Sequence, residues 1–409
     1  NAEFYQAAIF DRALTEEEIV RDCNDKINIR NADGLLLHYD FATNAVSYND
    51  APNGTEISMD DILMFNVWIP RFKYDLFESG SPKMINVTFE KGVSSTGTMT
   101  CYINSYGGQV CSGSGSLTHP AFSFNGEELS GLWVSKFELS PLNGTTCYSS
   151  VTSTNCNLNN LLVTSKPNQK TLVNIRIGNL FKSIRNMELS GNIYGFVNGG
   201  TKLNDDGTIK GDSNNYDVHL TNSFESGALA YLTYSKYGKY GNSNYDENNK
   251  EVYINNTSTK TGSSYVDGIT YEYNVDYYGT GASTTGTVYG VYDLNGYVYE
   301  YIMANVLDIY DRFQEYSSNF SSFGTAPDKR YYIGYRYASS SSNFRTFYGD
   351  AIGELAGFTS NTSTMPYYNY PFMVRKTVDT IDSTHGGASS TYGGRAAITV
   401  SPDAYITKW

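Results

Sequence analysis

Period-two alternation dominates the later part of the chain. Tyr297, Tyr299, Tyr301 and Met303 alternate with Val298, Glu300 and Ile302. Such alternation after a Gly-containing turn, here Asp293-Leu294-Asn295-Gly296, predicts a β-strand. Met64 to Tyr74 alternates in the same way, and Pro70 within it predicts an edge position or a bulge. Gly34 to Phe41 and Tyr331 to Tyr337 read as further strands. Helical spacing appears in three places. Thr15 and Glu18 form a capping box, Leu14 and Ile19 a hydrophobic staple, and Ile19, Cys23 and Ile27 share one face. Val173 to Met187 carries Leu180, Phe181, Ile184 and Met187 at spacings that suit a helix packed on a sheet. Ser223 to Tyr237 repeats the pattern, with Asn222 as N-cap. Between these elements, 44–60 reads as a linker, and 198–216 and 239–283 as surface loops. The second loop is long enough to form its own hairpin, and loops of that length are usually functional or inserted.

Composition narrows the class. The chain has 409 residues, room for two or three domains or one large domain with appendages. It is 40% hydrophobic and 17% charged, with 37 Tyr and 38 Gly, which suits a loop-rich β or α+β protein and not a disordered one. No apolar run approaches the roughly 20 residues needed to span a bilayer, so membrane insertion is not expected. A net charge of −13 with scattered Lys and Arg argues against a nucleic-acid partner. Asn1 in place of Met reads as an internal start. Of the five cysteines, Cys101 with Cys111 and Cys147 with Cys156 could each close a short loop, worth roughly 2–3 kcal/mol. Free thiols are the alternative, and the Ser, Thr, Tyr and Gly bias favours disulfides. Cys23 is left over as a buried helix residue. The N-x-S/T sequons are the number expected by chance in so Asn- and Ser-rich a chain.

Several stretches carry a resemblance. "GVYDLNGYVYEY" (Gly290 to Tyr301) resembles the signature of the formylglycine-generating enzyme group, one branch of the C-type lectin-like fold. "VWIPRFKY" (Val67 to Tyr74), "HPAFSF" (His119 to Phe124) and "LSGLWVSKFE" (Leu129 to Glu138) are similar to the other branch. That branch comprises the variable ligand-binding proteins of phages and gut bacteria, many diversified by retroelements. The helix-bearing "ALAYLTYSKYGKYGN", then "YGDAIGELAGF", "YPFMVR" and "GGASSTYGGRAAI", follow in family order, so the resemblance covers roughly 61–399. The segments 92–118 and 139–165 look like insertions or long loops around it. Residues 1–43, through "AIFDRALTEEEI", resemble the end of a laminin-G/concanavalin-like jelly roll. The implied fold class is α+β: a C-type lectin-like domain with long loops over 61–409, preceded by a short jelly-roll remnant and the 44–60 linker.

Chemistry separates the two branches. The copper-dependent enzyme needs paired thiols near its C-terminal strands, and no cysteine follows Cys156. The four histidines, His38, His119, His219 and His385, lack paired zinc spacing and read as strand or loop residues. The calcium-dependent sugar-binding motifs are missing. Asp205, Asp206, Asp212 and Asp217 read as solvated loop charge more readily than as a Ca²⁺ loop. No catalytic residues, metal or cofactor are expected. What remains is a C-terminal surface rich in Tyr, Ser, Asn and Thr, a bias shared with antibody binding loops. The resemblance places variable, ligand-contacting positions between the "MVR" and "GGR" strands. It assigns that role to Lys376, Thr377, Asp379, Thr380, Asp382, Ser383, Thr384, His385, Ser389, Ser390 and Tyr392, with Tyr367 and Tyr368 beside them. An ordinary exposed loop is the competing reading of the same residues. The expected partner is a bacterial cell-surface protein or glycan, met by a phage tail or head fibre at a virion surface or outside the cell. Other virion subunits, in an assembly or decoration role, and a bacterial adhesin are the alternatives. A homotrimer would suit a fibre, but no heptad pattern indicates one.

Overall fold

The computed structural model describes residues 57–75, 85–104, 108–143, 156–196, 200–211, 216–239, 260–275, 277–296, 298–315, 322–336, 347–352, 372–377, 380–385 and 392–400, and the backbone of 6–10 and 35–40. The two N-terminal segments are strands, Gln6–Phe10 and Leu35–Asp40, paired antiparallel. The expected helix between them, with Cys23, lies outside the described residues.

The main elements of the rest, in chain order, are strands β1 (Asn66–Pro70), β2 (Phe72–Asp75), β3 (Val87–Phe89), β4 (Met99–Ile103), β5 (Gln109–Gly113), β6 (Ser116–Thr118) and β7 (Gly131–Ser135). Helix α1 (Ile177–Arg185), strand β8 (Tyr216–Leu220) and helix α2 (Ser223–Thr233) follow. Strands β9 (Tyr299–Leu307), β10 (Ile333–Arg336), β11 (Phe372–Thr377), β12 (Thr380–Thr384), β13 (Tyr392–Gly394) and β14 (Ala396–Val400) complete them. Among the described residues, two short α-helices and many strands make a mixed α+β, sheet-rich fold. No described helix is long and apolar enough to cross a membrane.

The strand expected over 64–74 is broken at Arg71. β1 lies at the edge of a four-stranded sheet ordered β8-β14-β7-β1, where Pro70 can forgo its missing N–H. β2 belongs to a five-stranded sheet ordered β3-β2-β6-β4-β5. The chain crosses between the sheets at Arg71, whose guanidinium is fully buried. It donates to the Phe122 and Leu129 carbonyls (both 3.0 Å) and to Glu90 (3.1 Å). The segment 92–118, expected as an insertion or long loop, instead supplies β4, β5 and β6 of that sheet. Cys101 and Cys111 face each other across β4 and β5 and are disulfide-bonded. Cys156 is disulfide-bonded as well, and Cys147 lies outside the described residues.

α1 starts four residues later than the first apolar position of its pattern. Asn174 is left-handed (φ 56°) and Arg176 extended, so the helix cannot begin before Ile177. α2 begins where expected. The Asn222 side chain accepts from Phe224 and Glu225 N–H (both 3.0 Å), and Glu225 accepts from Asn222 N–H (2.8 Å), a complete capping box. The loop regions form small hairpins: Lys202–Leu203 with Ile209–Lys210, and, within the long 239–283 segment, Ser264–Val266 with Ile269–Tyr271.

β9 is buried along almost its whole length, although its sequence alternates. Ile302, Ala304 and Val306 pack into a core with α2, Phe72 and Tyr74. Tyr301, Met303 and Leu307 pack into a second core with α1, Phe372 and Val374. Alternation here separates two cores instead of a core from solvent.

Candidate functional site

The site expected at the C-terminus begins from backbone pairing. β11 and β12 pair antiparallel, with Thr377 opposite Thr380. The segment 376–385 was expected as a loop; it is mostly strand, because Thr380–Thr384 pairs along β11, itself paired to β9. The sheet is ordered β10-β9-β11-β12, and β13 runs parallel to β9 at its start. The register brings Tyr392 opposite Tyr299, Arg375 opposite both Glu300 and Ile381, and Val374 opposite both Tyr301 and Asp382. Lys376, Thr377, Thr380, Asp382 and Tyr392 therefore gather, by backbone position, near the N-terminal end of β9.

Ser383, Thr384 and His385 run toward the other end, level with Met373 and Phe372. Thr384 is only 5% exposed and belongs to the packing. His385 is half-buried, and its partial burial holds its pKa below the usual histidine value. Tyr367, Tyr368, Asp379, Ser389 and Ser390 lie outside the described residues.

Tyr392 is the member whose surroundings are clearest. Its half-buried ring lies near-parallel to Tyr299, with centroids 6.0 Å apart, and edge-on to Tyr301 at 5.3 Å. Burial, with Tyr392 beside it, pushes the Tyr301 hydroxyl well above its usual pKa, so it stays a neutral phenol. On the helix side, buried Arg375 hydrogen-bonds the Ser226 hydroxyl of α2 and anchors β11 from behind.

Beneath this end of the sheet lies an ionic clamp that the sequence reading passed over. Arg395, one residue after β13, donates to Glu300 through Nε (2.9 Å) and Nη2 (2.6 Å). It also donates to the Ser135 carbonyl (2.5 Å) and the Tyr292 carbonyl (2.7 Å). One guanidinium thus ties β7, β9, β14 and the 292–296 turn together. Asp293 holds that turn with φ 62° while its carboxylate accepts from Gly262 N–H at 2.8 and 3.0 Å. Glu138, fully buried, completes the cluster. The available signal was a lone charge inside an apolar run: Glu300 in "VYEYIMANVL" and Arg395 in "GGRAAI". Such charges are almost never fully buried unless paired.

A second ionic group sits under β8, where Asp217 overturns the reading of solvated loop charge. Asp217 is buried and accepts from Arg185 (2.9 Å) and Tyr331 (3.1 Å). His219 lies between Asp217 and Glu225, each at 2.8 Å, with its ring stacked on Phe124. Burial works against its charge, yet Glu225 and Asp217 outweigh it and push its pKa up to about 10. Both Asp206 side-chain contacts are local, to Thr208. His119 is the opposite case. Its Nδ1 accepts from Ala121 N–H at the start of a short 3₁₀ turn, and burial drives its pKa down to about 3. Among the described residues no group of three or more His, Cys, Asp or Glu is arranged to hold a metal ion. The chemistry on offer at the sheet end is aromatic contact and hydrogen bonding on a rigid support. No protein-family model and no curated protein matches the chain.

Proposed function

We propose that this is a non-enzymatic binding protein with a C-type lectin-like domain, which recognises a bacterial surface protein or glycan as part of a phage tail or head fibre. The observation that carries the reading is the gathering of Lys376, Thr377, Thr380, Asp382 and Tyr392 at one end of a sheet backed by the Arg395 clamp. Binding residues on a rigid support lose little entropy when a partner docks. The stretches that carry the family resemblance also adjoin one another: "LSGLWVSKFE" supplies β7, which pairs with β1 of "VWIPRFKY" and β14 of "YGGRAAI".

The test is binding of the purified chain to a panel of gut bacterial strains, beside a variant with 376–382 replaced by Gly and Ser and checked for retained folding. Strain-selective binding that the variant loses supports receptor recognition at this face. Binding that the variant keeps moves the site elsewhere, to the hairpins within 198–216 or 239–283.

A second reading, assembly within a virion, draws on the β12 edge, which has no partner strand among the described residues. Unpaired edges are ready templates for a neighbouring chain. Imaging of an intact particle with β12 against another subunit would favour that role.

A further inference from the structure

The carboxylates beneath the sheet outnumber their counter-charge. Glu138, Asp293 and Glu300 meet a single guanidinium, that of Arg395. Glu300 has its ion pair with Arg395, and Asp293 has the Gly262 N–H. Glu138 has neither. Both of its oxygens are buried with no hydrogen-bonding partner. The Thr171 hydroxyl adjoins it, but that proton goes to the Leu139 carbonyl at 3.0 Å. A buried carboxylate without donors costs far more than a buried neutral acid. The neutral acid needs one acceptor, and Thr171 Oγ1 is an oxygen of that kind.

We propose that Glu138 carries a proton across the neutral range and serves as the pH-sensitive member of the clamp, so that its ionisation sets an unpaired buried charge against Asp293 of the 292–296 turn and Glu300 of β9. Every charged group that faces it acts in a known direction. Burial raises its pKa most, the charges of Asp293 (the turn) and Glu300 (β9) raise it further, and Arg395 opposes them without prevailing. The sign follows from linkage. A folded-state pKa above the unfolded one means the native state binds the extra proton. The stabilising share is whole below the unfolded value, about 4.3, and is lost as pH rises toward the folded value. This inference does not depend on what the face binds.

The experiment follows the Glu138 side-chain carboxyl carbon by NMR in the full-length wild-type chain, from about pH 4 to about pH 9, a range that brackets the ordinary glutamate value. A difference spectrum against Glu138→Gln assigns the signal. The expected result is a carboxyl still protonated at neutral pH. In parallel, the Glu138→Gln variant should lose less melting temperature than wild type as pH rises, because its amide cannot ionise. A Glu138 signal that titrates at the ordinary glutamate value overturns the proposal. So do melting curves of the two proteins that fall in parallel. If Glu138→Gln does not fold, selective labelling of wild-type glutamates decides the question alone.

Discussion

His219 shows how far a residue's chemistry can depart from its type. In the chain it is one unpaired histidine. In the fold it is a cation fixed between Asp217 on its own strand and Glu225 at the start of α2. Asp217 was within reach of pattern reasoning, since residues two apart share a face of a strand. Glu225 was not, because its position depends on how the capped helix turns back over β8. With a folded pKa raised to about 10, His219 contributes stability that is whole below the unfolded value of about 6.5 and is lost as pH rises through about 10. Replacing it with Gln strips buried Glu225 of its counter-charge and leaves Asp217 with Arg185 alone. Breaking buried pairs of this kind costs about 3–5 kcal/mol, and urea unfolding near neutral pH should show a loss of that order. The same measurement above the folded pKa should show the two proteins converging.

Among elements, α2 and the β4–β5 hairpin make opposed demands on sequence rules. Gly227 sits inside α2, where propensity alone favours Ala by about 0.8–1 kcal/mol. A Cβ there would overlap the carbonyl oxygen of Gly349, which is backbone and cannot swing aside. Overpacking typically costs about 1–3 kcal/mol, so Gly227→Ala should destabilise the protein despite the better helix former. A lower denaturation midpoint is the expected observation, and a higher one would show that 347–352 can yield. For the hairpin, the ten-residue spacing of Cys101 and Cys111 and their directly opposed positions make the disulfide a staple. Replacing both with Ser should cost about 2–3 kcal/mol, read as an earlier urea transition. The N-cap of α2 at Asn222 was legible in the sequence because it is local. The strands of 92–118 were not, because their Gly- and Ser-rich stretch lacks clear alternation, and its β4–β5 hairpin joins the sheet only through β6, which pairs with β2.

In the whole molecule, β9 is the shared wall between two cores, and the hairpin expected to bind is hung on it through β11. That arrangement predicts that changes within 376–382 can be separated from stability. Replacement of 376–382 by Gly and Ser should alter cell binding while the melting temperature moves by a few degrees at most. Changes to Arg395 should abolish both, because its guanidinium joins three strands and the 292–296 turn. Circular dichroism melting beside the strain-binding assay distinguishes the two outcomes.

The amino-acid sequence by itself determined what rests on near neighbours: the α2 cap, the edge role of Pro70, the strand after the Asp293–Gly296 turn and a hairpin somewhere within 239–283. These depend on φ preferences, side chain-to-backbone hydrogen bonds and period-two spacing, all of which act over a few residues. Only the tertiary structure decided which charges are buried, that Asp217 is an ion-pair member, that Thr384 is packed away, and that Lys376 and Tyr392 share one end of a sheet. Those outcomes depend on register between strands far apart in the chain, where desolvation and pairing are set by partners that no local pattern specifies.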